Sequence, residues 1–298
     1  MKKISLLGIC MFALLMSVSA QTLEEVLASF EGASGGRDKL AAVKTIKMES
    51  EIKMTMMGQD LDVSVSSIKE NGKLYRRDMG AILMMGKSWT LVTDTAAYAL
   101  TPAMNFGGGG RQGGGGGGFG GGGGGGDRVV VNGFEGPRNS AAAISKATND
   151  ELKNQQFELD CAGAFGPLVN YAAKGNTAEL IGKEKVNKQE CFKVKLTLAS
   201  GQFITYYISS KNFLVMQIDA TGPMAGYLSG FGNMMKMMGN ESRLKNMKVS
   251  IGYSNYKEFG GIQFPTKEVI NMGPVDIVVE NRDIKLNDDV DKVWYKAQ

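Results

Sequence analysis

The sequence predicts a mainly β, α+β protein built on antiparallel strands, and three observations lead there. In Phe192, Val194, Leu196 and Leu198 the apolar side chains share one parity, while Cys191, Lys193, Lys195 and Thr197 share the other. That period of two marks a half-buried strand, wet on one side and apolar on the other. Turn signals at Asn187-Lys188, Ser200-Gly201 and Lys211-Asn212 divide residues 179–218 into successive strands. The same alternation recurs along the chain, whereas helical periodicity is confined to short stretches.

In order, Met1-Lys2-Lys3, the apolar run Ile4 to Val18 and the small residues before Gln21 read as a secretory signal peptide over 1–20, cleaved after Ala20. Cys10 lies inside the apolar run behind Ile9, the wrong context for a lipoprotein signal, so a soluble exported chain is expected. Leu23, Val26, Leu27 and Phe30 have amphipathic-helix spacing, with Thr22 and Glu25 as a capping box. Gly35-Gly36 ends that helix, and Arg37 to Val43 adds a second short one. From Thr45 the alternation begins: Ile46, Met48, Ile52, Met54 and Met56 face one way, and after a turn near Gly58 so do Leu61, Val63 and Val65. Strands follow at Lys73 to Met79, Ile82 to Met85, Ser88 to Thr93 and Ala96 to Leu100.

Residues 107–126 are glycine except Arg111, Gln112 and Phe119. With no side chains to bury, this segment is expected to be a flexible loop spanning about 25 Å as a coil. Ser140 to Gln156 is the best remaining helical stretch, with Asn149-Asp150 as its cap. Strands are expected at Met247 to Tyr256, Ile262 to Ile270 and Val275 to Leu286. Since the pattern continues on both sides of the glycine loop, 21–298 reads as a single domain interrupted at 107–126.

Composition narrows the function. Loss of Lys2 and Lys3 takes the formal charge from +4 to +2, which gives no footprint for nucleic acid. The chain has no histidine, which removes Ser-His-Asp and Cys-His nucleophiles and every His-containing metal site. Ala81 to Ser88 matches a loosened phosphate-loop pattern. Its centre is bulky and apolar and runs into a strand, so a hairpin at Gly86-Lys87 is the better reading. Asp288, Asp289 and Asp291 lack the spacing of a calcium loop. A single Arg-Gln within the glycine run is too little charge for an RNA-binding tract. No cofactor, metal or catalytic constellation is expected. Cys161 and Cys191, the two cysteines left after export, could form one disulfide or remain as unpaired thiols.

Nineteen methionines, four of them between Met234 and Met238, suit irregular cores, adaptable apolar surfaces and, more weakly, Cu(I). The apolar strand face is long and few helices are available to cover it. An incompletely covered face implies a cavity or a partner. The cargo cavity is therefore assigned to the inward parity: Ile46, Met48, Ile52 and Met54; Leu61, Val63 and Val65; Phe192, Val194, Leu196 and Leu198.

Several pieces in order resemble the LolA-like superfamily of envelope lipoprotein-sorting and carrier proteins. They are Ala33 to Leu40 (ASGGRDKL), Trp89 in a hairpin, Leu180 to Glu184 (LIGKE) with Gly201 and Tyr206-Tyr207-Ile208, Tyr253 to Pro265 (YSNYKEFGGIQFP), and Asn287 to Trp294 (NDDVDKVW). The resemblance implies an incomplete antiparallel β-barrel, a half-barrel with a few helices covering its concave apolar face. It also implies a periplasmic, non-catalytic carrier of lipid or acylated lipoprotein cargo. Such a carrier would touch membranes peripherally, in association with the outer membrane, and exchange cargo with envelope protein partners. By the same resemblance Arg76, or its neighbour Arg77, is the basic residue that tethers the helical lid. The alternative is an envelope structural or interaction module with a dry core and no ligand.

Overall fold

The alternation that starts at Thr45 forms β1 (Thr45–Met56), which turns at Gly58 into β2 (Gln59–Glu70). The two pair in unbroken register from Thr45↔Glu70 to Met56↔Gln59. β3 (Leu74–Met79), β4 (Ser88–Thr93) and β5 (Ala97–Thr101) extend this meander. Two small ribbons follow: β6 (Met104–Asn105) with β9 (Asn139–Ser140), and β7 (Arg128–Val131) with β8 (Phe134–Pro137). β10 (Ala143–Lys146) pairs with β5. The second meander is β11 (Thr177–Val186), β12 (Gln189–Thr197), β13 (Phe203–Ser209), β14 (Val215–Thr221), β15 (Lys248–Phe259), β16 (Ile262–Asn271) and β17 (Asp276–Leu286). This computed structural model describes residues 21–56, 58–83, 85–105, 128–131, 134–137, 139–233, 241–273 and 276–297. The expected leader, the glycine loop 107–126 and Met234 to Met238 lie outside them.

The thirteen strands of the main sheet run in the order β10-β5-β4-β3-β2-β1-β17-β16-β15-β14-β13-β12-β11, with every pairing antiparallel. Two local meanders are thus joined by one long-range pairing, β1 with β17. β10 and β11 do not pair with each other, so the barrel stays open.

The helices are α1 (Leu23–Ala33), α2 (Arg37–Ala41), α3 (Asn149–Gln155), α4 (Gly222–Ser229) and α5 (Glu241–Lys245). Single 3-10 turns occupy Gln156–Leu159, Gly166–Leu168, Tyr171–Lys174 and Lys292–Tyr295. The capping box at Thr22 forms as expected, with Glu25 N donating to Thr22 Oγ1 at 3.2 Å and Thr22 N to Glu25 Oε2 at 3.0 Å. No helix among the described residues is long and apolar enough to cross a membrane.

Two stretches differ from the sequence reading. Ser140 to Gln156 is helical only from Asn149, because Ala143 to Lys146 pair with the sheet edge, and the cap is Thr148 with a box to Glu151. Edge pairing there overrides local helix preference. Ile82 and Met85 meet in an isolated bridge, not a strand, because Leu83 turns the chain at φ 50.

The inner face of the sheet is the one the helices cover. Val26 and Phe30 of α1 and Met224 and Ala225 of α4 share one apolar cluster with Ile52, Val63, Val194, Leu196, Ile208 and Ile251. Phe165 packs between α1 and the second meander, with ring centroids 6.4 Å from Phe30, 6.2 Å from Tyr206 and 4.9 Å from Tyr253, all edge-on. On the outer face Ile68, Leu74, Trp89 and Leu91 form a separate patch under Val290 and Trp294. The sheet also separates the two cysteines. Cys161 lies in the inner cluster, and Cys191 lies in an outer patch with Val186 and Tyr207. Both are buried and unpaired. Burial pushes both thiols up, Cys161 to about 11.

Phe192 is fully buried and stacks on Phe213 with centroids 6.1 Å apart. Phe192→Ala is expected to cost about 3–5 kcal/mol in chemical denaturation, as large-to-small core changes do. A cost under 1 kcal/mol would show that this half of the inner face is loosely filled.

Candidate functional site

Strand register places a band of polar side chains across the middle of the apolar inner face. On β2 and β3, Ser67 stands opposite Arg77 and Lys69 opposite Tyr75. Across the β1–β17 joint Ser50 stands opposite Asn281, and across β15–β16 Tyr253 stands opposite Glu268. The register of β17 shifts between Asn281 and Asp283 against β1. Such a bulge re-aims side chains and bends the strand, and here it brings Asn281 inward between Val279 and Ile284.

Above this band lie residues 158–165 and Leu228 of α4, and between cover and sheet is a cavity of about 200 Å³. Its walls are mixed. Ile46, Met48, Val65, Phe264, Ile270 and Val279 supply apolar surface from the sheet, and Phe165 and Leu228 supply it from the cover. The polar groups are largely paired. Lys69 Nζ lies 3.0 Å from Glu158 Oε2 and 5.1 Å from the centroid of the Tyr75 ring. Ser50 Oγ donates to Asn281 Oδ1 at 2.7 Å, and Asn281 Nδ2 donates to Glu268 Oε1 at 2.9 Å and to Pro265 O at 3.0 Å.

This enclosure perturbs the titratable groups. Burial alone would favour neutral Lys69, but the Glu158 carboxylate outweighs it and raises the lysine above its ordinary value. Burial, with Glu158 nearby, pushes Tyr75 to about 12. Burial raises Glu268, against the opposing pull of the Asn281 hydrogen bond and the Arg77 charge.

Arg77 is half-buried and has no carboxylate within 4.0 Å among the described residues. Its guanidinium lies against Gly230, the left-handed residue (φ 75) that ends α4, where any Cβ would overlap it.

The eleven residues assigned to a cargo cavity all join the inner-face cluster. Ile46, Met48 and Val65 line the cavity, while Ile52, Met54, Leu61, Val63, Phe192, Val194, Leu196 and Leu198 do not. Arg76, the first choice for lid tether, faces the other way. Along β3 the parity sets Ile68, Arg76 and Leu91 in one outer row and Ser67, Arg77 and Thr90 in the inner one. Arg76 Nε donates to Asp78 Oδ1 at 2.9 Å and Nη1 to Lys296 O at 2.6 Å, with the guanidinium 5.0 Å from the Trp89 ring and 6.0 Å from that of Trp294. It fastens the C-terminal segment to the outer face, and of the two arginines Arg77 is the one on the inner face, against the end of α4. Sequence reasoning missed Lys69, Glu158, Glu268 and Asn281. Ser67 and Lys69 could have been found, since they interrupt the inward parity of Val63 and Val65.

The open sheet, its helical cover and the cavity between them can be compared with solved structures. The chain aligns along most of its length with several solved structures, among them a LolA-superfamily protein. That protein, from Nitrosomonas europaea, aligns at 11% identity over 93% of this chain and 99% of that chain, with a TM-score of 0.48. A DUF1329 family protein from Desulfovibrio piger aligns at 9% identity over 91% and 97%, with a TM-score of 0.49. A domain named for outer-membrane lipoprotein sorting, from Vibrio parahaemolyticus, aligns at 7% identity over 91% and 94%, with a TM-score of 0.40. No family model and no curated protein sequence matches the chain. At these scores any functional reading rests on the site's own geometry.

The raised Glu268 has a definite pH signature. The folded chain holds this proton more tightly than the unfolded chain. The burial penalty is therefore absent below the ordinary glutamate pKa and grows as pH rises through the raised value. Glu268→Gln keeps an acceptor for Asn281 and is expected to melt with wild type at pH 4 and above it at pH 8. A lower melting temperature than wild type at pH 8 would mean that the carboxylate is held charged.

Proposed function

We propose that this chain is an exported, non-catalytic carrier of lipid or acylated cargo, which it takes up on the inner face of the open sheet beneath α4. The observation that carries this reading is the cavity between the sheet's centre and a cover made of residues 158–165 and the short helix α4. A second sheet closing the same face would have left no comparable route. Acyl chains gain about 0.8 kcal/mol per buried CH₂, so they can bind such a wall with few directional contacts.

The resting cavity of about 200 Å³ is below the roughly 300–1,000 Å³ of small-molecule sites, so cargo must displace part of the cover. α4 suits that role. It has eight residues, two of them glycine, and its Gly226 lies close to Gly232 and to Leu244 of α5. Cargo then selects an open arrangement in which the cover leaves the sheet. The predicted leader would deliver the chain to the periplasm, where donors and acceptors of acylated cargo lie on the two facing membranes.

A second reading, an interaction module with a dry core, draws support from the eight assigned cavity residues that are packed away from the cavity. Native mass spectrometry of residues 21–298, exported and purified without detergent and then incubated with phospholipid and lipopeptide, separates the two. A mass excess released as lipid or acylated peptide is the expected result, and a clean apo mass throughout would favour the module. In Gly226→Ala the new Cβ would lie 2.7 Å from Leu244 Cδ1 and 3.0 Å from Gly232 Cα. It is expected to destabilise the cover by about 1–3 kcal/mol and to speed lipid uptake in stopped-flow fluorescence. Slower uptake would remove α4 as the lid.

A further inference from the structure

The charged groups around the cavity do not balance in pairs. Lys69 and Glu158 satisfy each other at 3.0 Å. The Glu268 carboxyl takes Asn281 Nδ2, and the Asn281 oxygen takes Ser50 Oγ. Arg77 is left with no carboxylate within ion-pair distance among the described residues, although it is half-buried on the inner face. Burial pushes Glu268 toward its neutral form, which leaves the guanidinium still less compensated. The guanidinium has Tyr75 as a hydrogen-bond partner but no full countercharge; an enclosed cation in that state is costly, and a charge-assisted bond to an anion offsets the cost.

Arg77 is also placed to receive a ligand. It borders the cavity of about 200 Å³ and two smaller ones of about 40 and 30 Å³. Around it the register sets hydroxyl groups: Ser67 opposite on β2 and Thr90 opposite on β4, with Tyr75 two residues away on its own strand. Thr90 Oγ1 accepts from Asn233 Nδ2 at 3.2 Å, and both residues border the two smaller cavities that Arg77 also lines. A planar guanidinium fork fits a carboxylate or phosphate bidentately. On the other side Met48, Ile270, Val279 and Phe165 offer apolar wall for a chain.

We infer that the cavity recognises an amphiphile with a single anionic head, a carboxylate or phosphate group that seats on Arg77 while its hydrocarbon chain runs along the apolar wall. The inference rests on the carrier reading for the chain and on Arg77 alone for the head. Glu158 and Glu268 also face the cavity. Glu158 is committed to Lys69 and burial favours neutral Glu268, so neither supplies a full countercharge to Arg77.

The test measures binding of palmitate, of hexadecanol and of inorganic phosphate to delipidated residues 21–298 by titration calorimetry. Wild type is compared with Arg77→Met and Arg77→Lys, each first shown by circular dichroism and thermal melting to be folded. The expected result is that palmitate binds wild type at least tenfold more tightly than hexadecanol. Arg77→Met should remove that difference by weakening palmitate alone, and Arg77→Lys should keep part of it. Equal binding of palmitate and hexadecanol to wild type overturns the inference and leaves the carrier reading standing. So does equal weakening of both amphiphiles by Arg77→Met. Binding of phosphate alone, lost in Arg77→Met, supports the anion site and overturns the carrier reading. No binding by any of the three probes overturns both.

Discussion

The pairing of β1 with β17 is the constraint on which the remaining structure depends, because among the described strands it is the one pairing between two meanders that are each local in sequence. Ile46 to Lys53 bond to residues 278–286, and the joint is reinforced at its end by Asn287, whose side chain accepts from Lys44 N at 2.7 Å across 243 residues. Thr45 adds two bonds, its hydroxyl donating to Asp288 O at 2.6 Å and its carbonyl accepting from Asn287 N at 3.0 Å. Further along, Lys53 lies 2.8 Å from Glu280, and Arg282 pairs with Glu51. Closing so long a loop is entropically costly before any contact forms, so such a joint is expected to form late in folding. The cavity straddles it, with Met48 and Ser50 on one strand and Val279 and Asn281 on the other.

The joint also explains why a face patterned for burial carries a polar band. A bulge in β17 places Asn281 inward beside Ser50, and from there hydrogen bonds reach Glu268 on β16. Buried polar groups are tolerated when their partners are built in. This network meets that condition at Ser50, Asn281, Lys69 and Glu158. Arg77 is the exception among the charges, hydrogen-bonded to Tyr75 but with no carboxylate within 4.0 Å among the described residues, at the point where the end of α4 touches the sheet.

Much of this was legible in the residues. The helix at Leu23, the first hairpin and the strands around Phe192 followed from alternation, turn residues and one capping box, since these are local preferences that packing reinforces. What was not legible depended on partners distant in sequence. Ala143 to Lys146 has no strand alternation and became strand because the edge of β5 offered unpaired groups. The outward turn of Arg76 and inward turn of Arg77 hinged on a one-residue difference in parity, which strand register alone decides. Val194 and Leu196 read as cavity wall but are covered, because the reach of the helices cannot be taken from strand parity.

By itself, the sequence determined that the chain forms antiparallel strands with one apolar face, that histidine chemistry is absent, and which residues lie on that face. Those properties reside in side-chain type and in a period of two, which neighbours along the chain already define. Only the tertiary structure decided that the barrel stays open and that Cys161 and Cys191 lie on opposite faces. It alone assembled the cavity from Met48, Glu268, Asn281 and Arg77. These depend on which strands become neighbours and where a bulge shifts the register, and both are settled by pairing across more than two hundred residues.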